Sequence, residues 1–220
     1  MLLRKVFSRF LIGILLMALF VFLPAGTFSY YNGWLMLALI IFPMTSAGIY
    51  FYKNDPAFLE RRMRTHEKEK EQKLIIKLAY IPYLIGFLLP GFDHRFGWSA
   101  VPVWLVIFAS LLFLLSYFAI FLVFKANSYA SRVVEVEKEQ KVIDTGPYAL
   151  VRHPMYTANS ILTFCVPVVL GSYYGLIPFL MLPVVFVFRL LNEEEVLKRD
   201  LPGYTEYCQK VKYRLIPFVW

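Results

Sequence analysis

Cysteine is scarce in this chain, with only Cys165 and Cys208 in 220 residues, and neither has a partner at the spacing of a zinc site, a redox pair or a disulfide framework. Histidine is nearly as scarce. Of the three, His66 lies in a charged stretch, His94 falls on the opposite side of the topology derived below, and His153 stands apart, so no metal-binding histidine cluster can be assembled. No GxGxxG follows a strand-like run and no P-loop occurs, which removes the usual soluble nucleotide-binding folds. Ser-His-Asp hydrolysis lacks a motif as well, because Asp144 and His153 read equally well as a turn residue and a helix cap.

What the chain has instead is apolar length. Hydrophobic residues make up 59% of it and the mean hydropathy is +0.59, well above an ordinary soluble domain. The run Phe10 to Phe28 follows Arg4, Lys5 and Arg9; with no persuasive cleavage site or mature soluble domain behind it, it reads as a retained first span. Trp34 to Tyr52 is a second, and the two form a hairpin. Leu74 to Leu89 is a third span, followed by the polar loop GFDHRFGWS, and the uncharged run Ala100 to Phe124 is the clearest span of all. Thr157 to Leu170 and Leu176 to Leu191 are shorter apolar runs separated by the turn GSYYG, a hairpin or a re-entrant pair. The expected fold is therefore an all-α integral membrane protein with about six transmembrane or re-entrant helices.

Charge is concentrated in the connections, with only Lys77 and Arg189 inside the apolar runs. Lys53 to Lys73 is a mixed acidic and basic loop, a solvated stretch rather than a nucleic-acid patch because the two signs interleave. SRVVEVEKEQ fits a surface helix or a short strand, and periodicity does not decide. The tail from Asn192 opens with Glu193, Glu194 and Glu195 and reads as a helix on the membrane surface. With both termini cytoplasmic and six crossings, Arg95 is the one Lys or Arg of 23 that falls outside. This asymmetry accounts for the net charge of +8 without nucleic acid or another polyanion. It also suits the plasma, or inner, membrane. Two parts follow: residues 1–73 as an N-terminal hairpin with a charged cytoplasmic loop, and residues 74–220 as a core whose region 125–220 carries the candidate site.

The stretch Asp144 to Tyr156, DTGPYALVRHPMY, stands out within that region. Gly146 and Pro147 break any incoming helix, and Pro154 suits the first turn of the next. Between them Arg152 and His153 sit beside Tyr148 and Tyr156. The same topology puts this turn on the side of Glu193 and Glu194, which gain nothing from an anionic leaflet and want a cationic partner, Arg152 or a ligand. Arg189, Lys198, Arg199 and Lys212 read as boundary anchors. A lone His is as often structural as catalytic.

TGPYALVRHPMY, an apolar hairpin, and NEEEVLKRDLPGYTEYCQKVKYRLIP together resemble the C-terminal half of the isoprenylcysteine carboxyl methyltransferase family, membrane enzymes related to the phospholipid N-methyltransferases. The combined spacing of RHPxY and EExxL carries the resemblance, over about residues 127–217. It implies S-adenosylmethionine as cofactor, a lipophilic or lipid-modified acceptor reached through membrane lipid, and no metal. Gly146, Pro147, Tyr148, His153, Tyr156, Glu193 and Glu194 are the implied cofactor site, with Arg152 and His153 as catalytic candidates. Glu193 or Glu194 would meet the cofactor ammonium, and Arg152 the carboxylate of cofactor or substrate. Glu195 falls outside the motif. Tyr204, Tyr207 and Arg214 match the family tail and are equally readable as structural. The rival readings are a phospholipid N-methyltransferase, an NADPH-dependent reductase of the steroid 5-alpha-reductase type, and a non-catalytic membrane protein.

Overall fold

The computed structural model describes residues 2–67 and 69–220. Among these the regular elements are helical: α1 (Leu2–Ala25), α2 (Tyr31–Asn54), α3 (Pro56–Arg62), α4 (Lys70–Phe96), α5 (Val103–Ala126), α6 (Pro154–Val169), α7 (Leu176–Asp200) and α8 (Tyr204–Lys210), with a short 3-10 turn at Gly146–Ala149. Five of them, α1, α2, α4, α5 and α7, are long and apolar enough to cross a bilayer. A helix of 24 residues reaches about 36 Å at about 1.5 Å per residue, more than the hydrocarbon thickness. α6, with 16 residues, is shorter. The outer faces carry exposed Phe7, Leu15, Phe42, Trp104, Phe108 and Leu111. That much apolar surface is at rest only against lipid.

The helices approach closely where glycine permits it. A Cβ on Gly91 of α4 would stand 2.6 Å from both the Val21 carbonyl oxygen and Pro24 Cγ of α1. One on Gly86 would stand 2.7 Å from the Phe179 ring of α7. α4 is therefore clamped between α1 and α7. Around this contact Val21, Met36, Phe113, Leu170, Phe179, Leu182 and Leu190 form a fully buried core.

The two ends of the bundle differ. At one end polar side chains staple the turns together: the Tyr30 hydroxyl donates to the Leu170 carbonyl, Asn32 Nδ2 donates to the Val169 carbonyl at 2.7 Å, and Asp93 accepts from the Ser99 amide and from the Ser99 and Ser172 hydroxyls. At the other end lie α3, the 127–153 segment, the last turns of α7 and α8. Residues 131–140 are neither helix nor strand but an irregular strap; Arg61 and Arg64 hold it through Glu135 and Glu137.

Three expectations change in detail. The GFDHRFGWS segment is helical as far as Phe96, because Asp93 caps the turn beyond it and Gly97 ends the helix in the left-handed conformation. The short last run is in fact 25 residues long: α7 continues through Glu193, Glu194 and Glu195 to Asp200. The acidic residues are thus the outer turns of a long helix rather than the start of a separate surface helix. Arg4, Lys5 and Arg9 also lie inside α1, which starts at Leu2.

Candidate active site

The turn at Gly146 uses the left-handed region, φ 59°, and the 3-10 turn that follows delivers Tyr148 inward. Asn127 Nδ2 donates to the Tyr148 hydroxyl at 3.1 Å and the Tyr207 hydroxyl donates to the Tyr148 carbonyl at 2.8 Å. Burial, with the Glu193 carboxylate nearby, pushes the Tyr148 phenol up to about 12. Four residues after Tyr148, the amides of Arg152 and His153 donate to the carbonyls of Tyr213 and Arg214, each at 2.9 Å. The C-terminal segment is therefore a backbone splint for the Arg-His turn, and the Thr157 hydroxyl extends it by donating to the Leu215 carbonyl at 2.8 Å. Pro154 then opens α6, with His153 as its N-cap.

Glu194, 2% exposed, is the focus of the charges. Its Oε1 lies 3.2 Å from His153 Nε2 and 3.2 Å from Arg152 Nε, and its Oε2 accepts from Arg214 Nε at 3.1 Å. The Arg152 contact is an ion pair without hydrogen-bond alignment, since the Nε of this buried side chain finds no aligned acceptor. The RHP turn and the acidic end of α7 do come together, but Glu194 is consumed by the protein itself. Its neighbour is differently placed. Glu193 accepts from the Tyr156 hydroxyl at 2.7 Å, and that hydroxyl in turn accepts from Arg189 Nε at 3.0 Å.

Glu193 and this relay face a cavity of about 390 Å³, within the range of small-ligand sites. Tyr148, Arg152, His153, Tyr156 and Glu193 line it, whereas Gly146, Pro147 and Glu194 do not. Glu195 is exposed. One end of the cavity is polar and aromatic, formed by Tyr148, Glu193, Tyr204 and Tyr207. The other is apolar, formed by Ile75, Ile76, Ala79, Met155, Val185 and Phe186. It reaches the outer surface of α4 at Tyr80 and Tyr83, both exposed.

Sequence reasoning missed Arg189 and Arg62. Arg189, read as an anchor, lies one helical turn before Glu193 and so shares its face, a signal the spacing did contain. Arg62 comes from α3 and had no sequence signal tying it to the rest. Among the described residues no group of three or more His, Cys, Asp or Glu side chains could hold a metal ion.

Residues 104–201 match the model of the phospholipid methyltransferase family. This segment contains α5, the RHPMY turn, α6 and α7, hence most of the cavity wall. The structure of a eukaryotic intramembrane Ras methyltransferase, isoprenylcysteine carboxyl methyltransferase, is similar in fold: TM-score 0.50 and 15% identity, covering 86% of this chain and 74% of that one. No curated protein matches the chain significantly in sequence. The chain is an integral membrane protein by its apolar helices; its segment 104–201 resembles the phospholipid methyltransferases, and its fold resembles that of a membrane methyltransferase. The family match ends at Leu201, so Tyr204 and Tyr207, which line the same cavity, and the Tyr213–Leu215 splint lie beyond it.

Proposed function

We propose that the protein is an S-adenosylmethionine-dependent methyltransferase working at the cytoplasmic boundary of the membrane on a lipophilic acceptor, a carboxylate such as that of a prenylated cysteine. One observation carries the cofactor reading. The Tyr204 hydroxyl is buried on the cavity wall without a hydrogen-bond partner among the described residues, beside a Glu193 carboxylate that also faces the cavity. A buried orphan donor is costly, and a ligand with cationic and polar groups satisfies both.

Bound S-adenosylmethionine supplies an electrophilic methyl group on a sulfonium. Glu193, held by Tyr156, would take the cofactor ammonium, while Tyr148 and Tyr204 would hold its polar groups. Arg152, His153 and Arg214 fix one another through Glu194, so the part of the wall that Arg152 and His153 form is set before any ligand arrives, the condition under which alignment lowers a barrier. The apolar arm of the cavity keeps water from the nucleophile and admits an acyl or prenyl chain from the bilayer. A carboxylate acceptor is already ionised at neutral pH and needs no base. That suits a site whose one histidine is committed to Glu194.

Binding of radiolabelled S-adenosylmethionine to the purified, folded protein in lipid tests the reading, with NADPH titrated alongside. Saturable binding of the former and none of the latter is the expected result. The reverse pattern would transfer the protein to the reductases, and binding of neither would end the enzyme reading. A methyl-transfer screen over lipid extracts and prenylated cysteines, with products identified by mass, then names the acceptor.

A further inference from the structure

α3 and the turn that follows it point their basic residues in two directions. Arg61 pairs with Glu137 at 3.1 Å, and Arg64 meets Glu135 and Glu137. Arg62, between them, points the other way and lines the cavity. Its guanidinium donates to the Ser131 carbonyl at 3.1 Å and lies over the Phe124 ring, with no carboxylate partner among the described residues. Two more guanidiniums share that wall. Arg132 is on the irregular strap, and Arg189 on α7 is turned toward Tyr156 and the Arg132 carbonyl. Burial and the proximity of Arg132 and Arg189 bring Arg62 down to about 10, the mark of cations crowded together. Three acids stand near this group: Glu67, whose Oε2 is 4.0 Å from Arg189 and accepts from the Val134 amide, Glu135, which pairs with Arg64, and Glu193. Glu193, one turn along α7, accepts from the Tyr156 hydroxyl and keeps its negative charge beside Arg189.

We propose that Arg62, with Arg132 and Arg189, forms an oxyanion subsite that positions the acidic group of the acceptor between the cofactor end of the cavity and its apolar arm. The proposal rests on the methyltransferase reading for the word acceptor, but the subsite is read from the cations alone. Arginine presents a planar fork that matches a carboxylate or a phosphate, and three guanidiniums at a lipid boundary select an amphiphile with an anionic head over a neutral one. Arg62 lies outside the family-matched segment. The N-terminal helices would thus contribute specificity to a core they otherwise only support.

The test is direct binding, by calorimetry, to full-length protein in phosphatidylcholine nanodiscs. Three probes are used: an S-prenylcysteine with a free carboxylate, its methyl ester, and a short-chain phosphatidic acid. The wild type should bind at least one anion more tightly than the ester. The tighter of the two acids identifies the source as a carboxylate or a phospholipid head. Arg62→Met should weaken that anion about tenfold or more, the scale of one lost charge-assisted hydrogen bond. Arg62→Lys should recover part of the loss, and Arg61→Met should change it less than about twofold. S-adenosylmethionine affinity, measured in the same samples, should be equal in wild type and Arg62→Met, which also certifies the fold. Anion binding no weaker in Arg62→Met than in Arg61→Met, or a wild type that does not prefer the acids to the ester, overturns the subsite. Absence of S-adenosylmethionine binding with the anion pattern intact overturns the methyltransferase reading and leaves the subsite standing.

Discussion

Adjacent carboxylates on one helix turn have opposite assignments here. Glu194 is buried among Arg152, His153 and Arg214, so Glu194→Gln leaves cations without their counter-charge and should cost about 3–5 kcal/mol of stability, read as an earlier unfolding transition in detergent. Glu193→Gln keeps an acceptor for the Tyr156 hydroxyl and should leave the transition in place while weakening S-adenosylmethionine about tenfold or more. Equal stability loss in both variants would contradict this division. The sequence pointed to the pair but not to which member faced the cavity; that depends on the roll of α7 against α6, which no local pattern encodes. Tyr148 adds a pH dependence. Its folded value, about 12, is above the ordinary phenol value of about 10, so the folded state favours the neutral form. The stability it gives is complete below about pH 10 and is lost as pH rises through about 12. Tyr148→Phe should reduce the alkaline fall in thermal midpoint without abolishing it, since burial also pushes up Tyr204 and Tyr207.

At the scale of elements, hydropathy located every long helix and misjudged their ends. α1 starts earlier, α4 extends through a segment rich in polar residues, and α7 carries its acidic turns out as helix, because capping and tertiary contacts set a terminus while apolar content sets only the middle. The strap at 131–140 was undecidable from periodicity, and the reason is visible: its conformation is held by Arg61 of α3 and Arg64 just beyond it rather than by its own pattern. Helix contacts were equally hidden. Gly91 sits 2.6 Å, at the position of an added Cβ, from a backbone oxygen that has no rotamer to change. Gly91→Ala should therefore push α1 off α4 at a cost of about 1–3 kcal/mol, measurable as a lower midpoint. Gly13→Ala, where nothing lies within 4 Å, should be neutral or slightly stabilising.

For the molecule as a whole, the distribution of Lys and Arg foretold that the Arg-His turn and the acidic end of α7 would share a side, and they meet at 3.2 Å. The C-terminal splint was not foreseen. Backbone pairing of residues 152–153 with 213–214 leaves no side-chain signature, so Tyr204, Tyr207 and Arg214 stayed ambiguous. The same end-to-end division makes a sidedness prediction. Single cysteines at Glu195 and Trp98, in a background lacking Cys165 and Cys208, should react with a membrane-impermeant maleimide from opposite faces of sealed vesicles. Labelling from one face alone would refute the six-crossing arrangement.

The cavity described above borders two phases at once, with a wet arm of tyrosines and a greasy arm ending at Tyr80 and Tyr83. Water-soluble and membrane-dissolved reactants then have separate doors. On the methyltransferase reading proposed above, neither has to queue behind the other, and initial-rate kinetics should show no compulsory order of arrival.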